Sequence, residues 1–367
     1  MSTNQNSNQK HKFFMDLALQ QAKINLGNTN KNPSVGCVIV KKNSVISVGS
    51  TSFNGRPHAE HNAISDSKVS ISNSELYVTL EPCSHYGKTP PCTKKIIKNK
   101  IKKVYFSIKD PDKRSYNKSI KKLKKSHIKV NIGINSKTVS DFYKSYILSK
   151  EKKLPYVTCK LAISKDFYTI NKRKEWITNL YSRGRTHLMR SSNDVILTSS
   201  KTIKEDNPQL NCRINGLEKF SPTKIILDNH LKVSLNSNVI RNNHKKKTII
   251  FYNKTNTNKI KMLNNNNVKT YKISLNKEGN LDLKNVLVKI HQLGFSRVLL
   301  ECGAKLSMSF LSENLVNDLK VFISNKRLLK NGNGCIKNYF KTFIKHKKYK
   351  KEIVNLFDDK LISYKIK

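Results

Sequence analysis

Residues 80–92 read Leu-Glu-Pro-Cys-Ser-His-Tyr-Gly-Lys-Thr-Pro-Pro-Cys, and upstream of them residues 57–60 read Pro-His-Ala-Glu. His58, Cys83 and Cys92 offer one imidazole and two thiolates. That is a three-ligand zinc set with the fourth tetrahedral position left for water, the arrangement of a catalytic metal and not of a closed structural one. Two thiolates cancel the charge of Zn²⁺, and cysteines at helix starts are readily held as thiolates. A zinc ion lowers the pKa of its water towards neutrality. Glu60 stands two residues beyond His58, close enough to carry protons without being a ligand. Each piece has a plain reading by itself. A His beside a Glu is usually surface, Cys83 alone is a core thiol, and a Cys-x8-Cys pair alone is weak evidence for a metal. Their conjunction, each beside a strand end or a helix start, favours the metal. His61 and His85 read as surface or supporting residues and not as ligands.

Working outward, an apolar-periodic helix runs through Phe14, Leu17, Ala18, Gln21 and Ala22 and ends at Gly27 and Asn28. Residues 1–10 read as a flexible N-terminus. Strands are expected at Val35–Val40, Val45–Val48, Glu75–Leu80, Val104–Ile108 and Ile128–Ile134, with helices from His58, over Thr93–Lys100 and over Asn117–Ser126. The charged stretch Leu148–Leu154 reads as a link. A second alternating series follows, with strands at Tyr156–Ala162, Asp194–Thr198, Lys224–Leu227, Lys247–Tyr252, Arg297–Leu300, Lys320–Ile323 and Leu361–Tyr364. Strands alternating with helices predict an α/β fold in both halves. The lysine-rich run His346–Lys351 reads as a solvated surface stretch.

His-Ala-Glu followed by Pro-Cys and a second Cys resembles the signature of the zinc nucleobase deaminases, in which a non-ligand Glu, here Glu60, shuttles protons. Those acting on nucleic acid or free nucleosides normally close the motif as Pro-Cys-x-x-Cys. The longer PCSHYGKTPPC, with Asn32-Pro33-x-Val35-Gly36 and Asp110-Pro111, is similar to the deaminase half of the bifunctional riboflavin-biosynthesis deaminase/reductases. The similarity continues through Lys160-Leu161-Ala162-x-Ser164-x-Asp166, Trp176-Ile177-Thr178, Ile196–Thr202, Asp206–Arg213 and Leu300–Leu306. It implies a cytidine-deaminase-like three-layer domain over 11–148, followed by a dihydrofolate-reductase-like α/β domain over 149–367. It also implies Zn²⁺ and NADPH as cofactors and a small phosphorylated pyrimidine as substrate. By resemblance Asn32 holds the pyrimidine. Ala162, Trp176, Thr202, Asp206, Asn229 and the stretch Gly303, Ala304, Lys305, Leu306, Ser307, Met308 and Ser309 face NADPH. Lys174, Arg190, Leu210, Arg213 and Glu301 face the substrate. The chain departs from the pattern at Phe167, where a Gly is expected, at Lys174, where a Ser is common, at Cys302 and Asn325, and at Lys113, Asn117 and Ser119 after Asp110-Pro111.

The formal net charge of +47 comes from 71 Lys+Arg against 24 Asp+Glu in 367 residues. A charge of that size usually points to nucleic acid. The excess is lysine, however, and it travels with asparagine and isoleucine, the residues an AT-rich coding sequence over-supplies; the arginines favoured for phosphate and base contacts are few. No apolar run reaches the length of a membrane span. Seven cysteines, an odd number in a long chain, argue against a disulfide scaffold and for a reducing, cytoplasmic setting. The partners expected are the small-molecule substrate and a second copy of the chain in a homo-oligomer, with no nucleic acid and no membrane. The rival readings are a zinc deaminase acting on nucleic acid or a nucleoside, its second half a basic accessory domain or an inactive reductase, and a nucleic-acid scaffold with structural zinc.

Overall fold

The computed structural model describes residues 2–241, 247–345 and 349–366, in two compact units divided between Lys153 and Leu154. The first unit runs α1 (Ser2–Lys23), β1 (Gly36–Lys41), β2 (Ser44–Ser50), α2 (Ala59–Ser65), β3 (Glu75–Leu80), α3 (Cys92–Lys98), β4 (Lys103–Ile108), α4 (Lys118–Lys125), β5 (Lys129–Ile132) and α5 (Ser136–Lys152). Its sheet has the order β2-β1-β3-β4-β5, antiparallel through β3 and parallel from β3 to β5.

Two glycines show how the layers close. A Cβ on Gly36 would overlap the backbone of Ala18 and Ala22 in α1, and one on Gly49 would overlap Ala59 and Ala63 in α2. Gly49 pairs with Cys37, the neighbour of Gly36, so α1 and α2 lie on opposite faces. Thr79 joins Tyr143 of α5 to the α1 face, its hydroxyl 2.7 Å from the Tyr143 hydroxyl and 3.1 Å from the Gly36 amide. The result is a three-layer unit, with the β1 and β3 side chains buried almost throughout. The helix α1 begins at Ser2, so residues 2–10 of the stretch expected to be flexible are helical; Met1 lies outside the described residues. The charged Leu148–Leu154 stretch is largely the last turn of α5, closed by Lys153 in a left-handed conformation at φ 56°.

The second unit runs β6 (Tyr156–Ile163), β7 (Tyr168–Asn171), α6 (Leu180–Ser191), β8 (Val195–Ser199), α7 (Ser200–Asp206), β9 (Thr223–Leu227), α8 (Asn238–Arg241), β10 (Thr248–Tyr252), α9 (Thr257–Asn265), β11 (Lys269–Lys272), α10 (Leu283–Gln292), β12 (Arg297–Glu301), α11 (Ala304–Ser312), β13 (Asp318–Ile323), β14 (Gly332–Cys335), α12 (Lys337–Lys345), β15 (Lys350–Leu356) and β16 (Asp359–Lys365). Among the described residues it forms a nine-stranded sheet, β11-β10-β9-β8-β12-β6-β13-β16-β15, parallel except at β16 and β15, with β7 and β14 pairing separately. One face packs the cluster around Val157, Leu197, Val286 and Phe310, and the other the cluster around Ile196, Ile226, Val239 and Leu263. The late strand β12 inserts between β6 and β8, so strand order reverses at its carboxyl end, where open α/β sheets bind ligands. Of the run His346–Lys351, residues 346–348 lie outside the described residues, and Lys350 and Lys351 open the exposed edge strand β15.

Candidate functional site

The first site lies where the α2 face meets the carboxyl end of β3. His58 caps the N-terminus of α2, Cys83 follows β3, and Cys92 opens α3. One donor atom from each lies within 4.8 Å of the others. His58 Nδ1 is 3.6 Å from Cys83 Sγ and 3.4 Å from Cys92 Sγ. A tetrahedral zinc with ordinary Zn–S and Zn–N bonds sets that N···S edge at about 3.6 Å, so the donor set fits zinc in spacing as well as in chemistry. The Cys92 amide donates to Cys83 Sγ at 3.2 Å. Hydrogen bonding from Cys92, then from His58, holds the Cys83 thiol down to about 4, while Cys92 is raised. Glu60 is buried in the first turn of α2, where burial and then the Cys83 sulfur push its carboxyl up to about 7. A carboxyl in that range both takes and returns a proton near neutral pH.

Around the donors, Asn32 gives its side-chain amide to Gly55 O at 2.8 Å, on the loop leading to His58. His85 is bound to Ser115 Oγ at 3.1 Å, and His61 is exposed. Glu81 was not singled out by sequence reasoning. It is buried, and its carboxylate accepts from the amides of Asp110, Asn117 and Ser119 and from the Ser119 hydroxyl, tying the Cys83 loop to the loop after β4. Its only sequence signal is a carboxylate beside Pro-Cys. Asn117 takes a left-handed φ of 58°, which asparagine tolerates better than most residues, so this departure keeps the loop usable.

The second site centres on Glu301 at the end of β12. Arg190 grips it with Nε on Oε2 at 3.0 Å and Nη2 on Oε1 at 2.7 Å, and gives Nη1 to Asn211 O at 3.0 Å. Lys160, in register on β6, stands 4.0 Å from the same carboxylate. Burial alone would raise Glu301, but Arg190 and Lys160 outweigh it and hold the carboxyl down to about 2. His187 caps the cluster, lowered to about 4 by burial and by the charges of Arg190 and Arg213. Its Nδ1 meets the Arg213 amide at 3.2 Å.

Residues 8–108 match the cytidine and deoxycytidylate deaminase zinc-binding region, and residues 155–333 match the RibD C-terminal domain. The riboflavin biosynthesis protein RibD of Aquifex aeolicus is 33% identical over 96% of this chain and 98% of its own. The chain belongs to the RibD family. RibD of Chlamydia muridarum is 31% identical over 90% of each chain. A solved diaminohydroxyphosphoribosylaminopyrimidine deaminase/5-amino-6-(5-phosphoribosylamino)uracil reductase from Thermotoga maritima is 28% identical, covers 98% of this chain and 99% of its own, and superposes with a TM-score of 0.85. RibD of Acinetobacter baumannii does so at 0.85 with 26% identity. The chain is therefore a bifunctional enzyme of riboflavin biosynthesis, a zinc-dependent deaminase joined to an NADPH-dependent reductase.

Within this RibD-family fold the expected reductase residues spread around the carboxyl ends of the strands. Ala162 lies on β6, and Thr202 in the first turn of α7, its amide on Ser199 Oγ. Asp206 ends α7 exposed. Asn229 follows β9, with Oδ1 buried and without a hydrogen-bond partner among the described residues. Gly303 caps α11 with open space around it, so the amides of Ala304, Lys305 and Leu306 are presented by the helix start. The side chain of Ser307 turns inward to Cys302 at 3.3 Å, Met308 packs on the core, and Ser309 bonds back to Lys305 O. Trp176 is exposed, with Arg183 5.2 Å over its ring. Lys174 is exposed at φ 59°. Leu210 is buried at φ 52°, and Arg213 is exposed. In this structure the bidentate face of Arg190, which the resemblance turns to the substrate, is taken up by Glu301. Phe167 adopts φ 70°, the left-handed geometry for which a glycine is suited, and packs its ring against Phe340. Sequence reasoning did not assign His187, Lys160 or Asn211 to this cluster, although Lys160 and Asn211 stand within stretches that carry the resemblance.

Proposed function

We propose that the first site deaminates 2,5-diamino-6-ribosylamino-4(3H)-pyrimidinone 5′-phosphate and that the second reduces the ribosyl side chain of the product to ribityl. The observation that carries this reading is His58, Cys83 and Cys92 at zinc spacing beside a buried Glu60, in a chain whose second half has the RibD reductase fold. His58, Cys83 and Cys92 hold the metal, which when bound supplies a water acidic enough to be a nucleophile at neutral pH. With the metal in place, the Glu60 carboxylate would take one proton from the attacking water and pass it to the ring nitrogen, then pass the water's second proton to the amine, which leaves as ammonia. Asn32 holds the pyrimidine, its Oδ1 turned to the ring while its amide stays on Gly55.

In the second site NADPH supplies the hydride when bound. Ala162, Trp176, Thr202, Asp206, Asn229 and Gly303–Ser309 form its bed, with the helix start at Gly303 suited to phosphate. The ionised Glu301, fixed by Arg190 and flanked by Lys160, orients the opened sugar; Leu210 and Lys174 line its approach. The exposed Arg213 carries the phosphate contact in place of Arg190.

The same reading puts the enzyme in the cytoplasm, as a homo-oligomer without a nucleic-acid partner. None of the seven cysteines is paired in a disulfide, as a reducing compartment would leave them. Tyr181 and Phe357 stack at 5.0 Å while both are exposed, and β15 is an open sheet edge, which supports self-association through the second unit. No described helix is long and apolar enough to cross a membrane. Incubation with the pyrimidine phosphate and NADPH tests the proposal. One ammonia released and one NADPH oxidised per substrate supports it, and ammonia without NADPH oxidation would sink the reductase assignment.

A further inference from the structure

We propose that Arg56 reads the substrate's phosphate in the deaminase site and draws the insert between the two cysteines over the bound molecule. The proposal rests on the substrate assigned above. Arg56 stands two residues before His58, on extended backbone that places its Cα within about 7 Å of the ligand's. Its Nη1 donates to Thr89 Oγ1 at 2.5 Å, and a Cβ built on Gly87 would lie 3.4 Å from its Nη2. Arg56 thereby links the segment carrying His58 to the insert Ser84–Pro91, which hangs between Cys83 and Cys92. Thr89 uses little of the guanidinium. The remaining N–H groups form the planar fork that matches a phosphate's oxygens, a geometry lysine lacks. The insert itself favours an anion: Ser84–Pro91 carries Lys88 and no acidic residue, and Lys94 reaches it at Tyr86. Insert residues 86–90 are exposed, so the loop is free to follow the guanidinium. The other side-chain hydrogen bonds of the insert, from Lys94 to Tyr86, from Lys122 to Ser84 O and between His85 and Ser115, do not reach the His58 segment.

The test compares two substrates in the full-length zinc enzyme, the pyrimidine riboside 5′-phosphate and the same riboside without phosphate, and follows ammonia. Arg56→Gln is expected to raise KM for the phosphorylated substrate by about tenfold or more, equivalent to about 1.4 kcal/mol. It should leave kcat/KM for the riboside, zinc content and reductase activity within about twofold of wild type. Arg56→Lys should recover part of the loss, and inorganic phosphate should compete in wild type but not in Arg56→Gln. Equal losses on both substrates would show a structural latch and overturn the proposal, as would no change on either. If wild type releases ammonia from neither, the assigned substrate is wrong and the proposal falls with it. If wild type deaminates both equally well, the substrate class stands and the phosphate reader does not.

Discussion

Replacing Arg190 with Met removes the main partner of a buried carboxylate while keeping much of the side chain's length. In the folded chain the Glu301 carboxyl is held down from 4.5 to about 2, so it binds its proton roughly 300-fold more weakly than when unfolded. That difference contributes about 3 kcal/mol to stability at pH 7. The sign follows from the depressed folded value. The contribution is complete above the unfolded value, falls to about 2 kcal/mol at pH 3.5, and vanishes as pH drops through 2. Arg190→Met leaves only Lys160, at 4.0 Å, and is expected to cost about 3 kcal/mol at pH 7, within the range for breaking a buried pair. Trp176, the one tryptophan, lies in the second unit, so its fluorescence during urea denaturation reports that unit alone. The midpoint should fall by about 1 M. The loss should shrink at pH 3.5, and Arg190→Met/Glu301→Gln should recover most of it, because no buried carboxylate remains. A loss under about 1 kcal/mol at pH 7, or a double variant no more stable than the single one, would refute the reasoning.

Glu81→Ala orphans three amides and the Ser119 hydroxyl and is expected to cost the first unit about 3 kcal/mol and most of its deaminase activity, while reductase activity persists; calorimetry and the two assays check this. Gly49→Ala forces a Cβ into the α2 backbone at Ala59 and Ala63, and should lower ammonia release at least tenfold by displacing Glu60, with NADPH oxidation on supplied deaminated substrate intact. Chelating the metal should lower the melting temperature of the first unit, and leave the urea transition reported by Trp176 in place.

The zinc site was legible because its chemistry is local. Glu75–Leu80 is β3 residue for residue, and His58, Cys83 and Cys92 occupy the ends of elements already visible as apolar runs. The strands missed were those without a buried face. The strand β15 is exposed along nearly its whole length, and β11 reads Lys-Thr-Tyr-Lys, so neither shows the alternation that burial writes into a sequence. The pair β7 and β14 forms across more than 160 residues and rests on turns, with Gly332 packed under Tyr168. By resemblance Arg190 faces the substrate, but nothing in one dimension showed its grip on Glu301; that depends on β12 inserting between β6 and β8. Glu81 was hidden for a similar reason, since its four donors lie 29 to 38 residues downstream.

The most direct test of the account is Glu60→Gln with zinc content measured in the same preparation. The substitution keeps the size of the buried side chain and removes its proton-carrying oxygen. The account predicts one zinc per chain, unchanged NADPH oxidation on supplied deaminated substrate, and ammonia release reduced by about a hundredfold or more. Ammonia release at the wild-type rate with zinc still bound would contradict it.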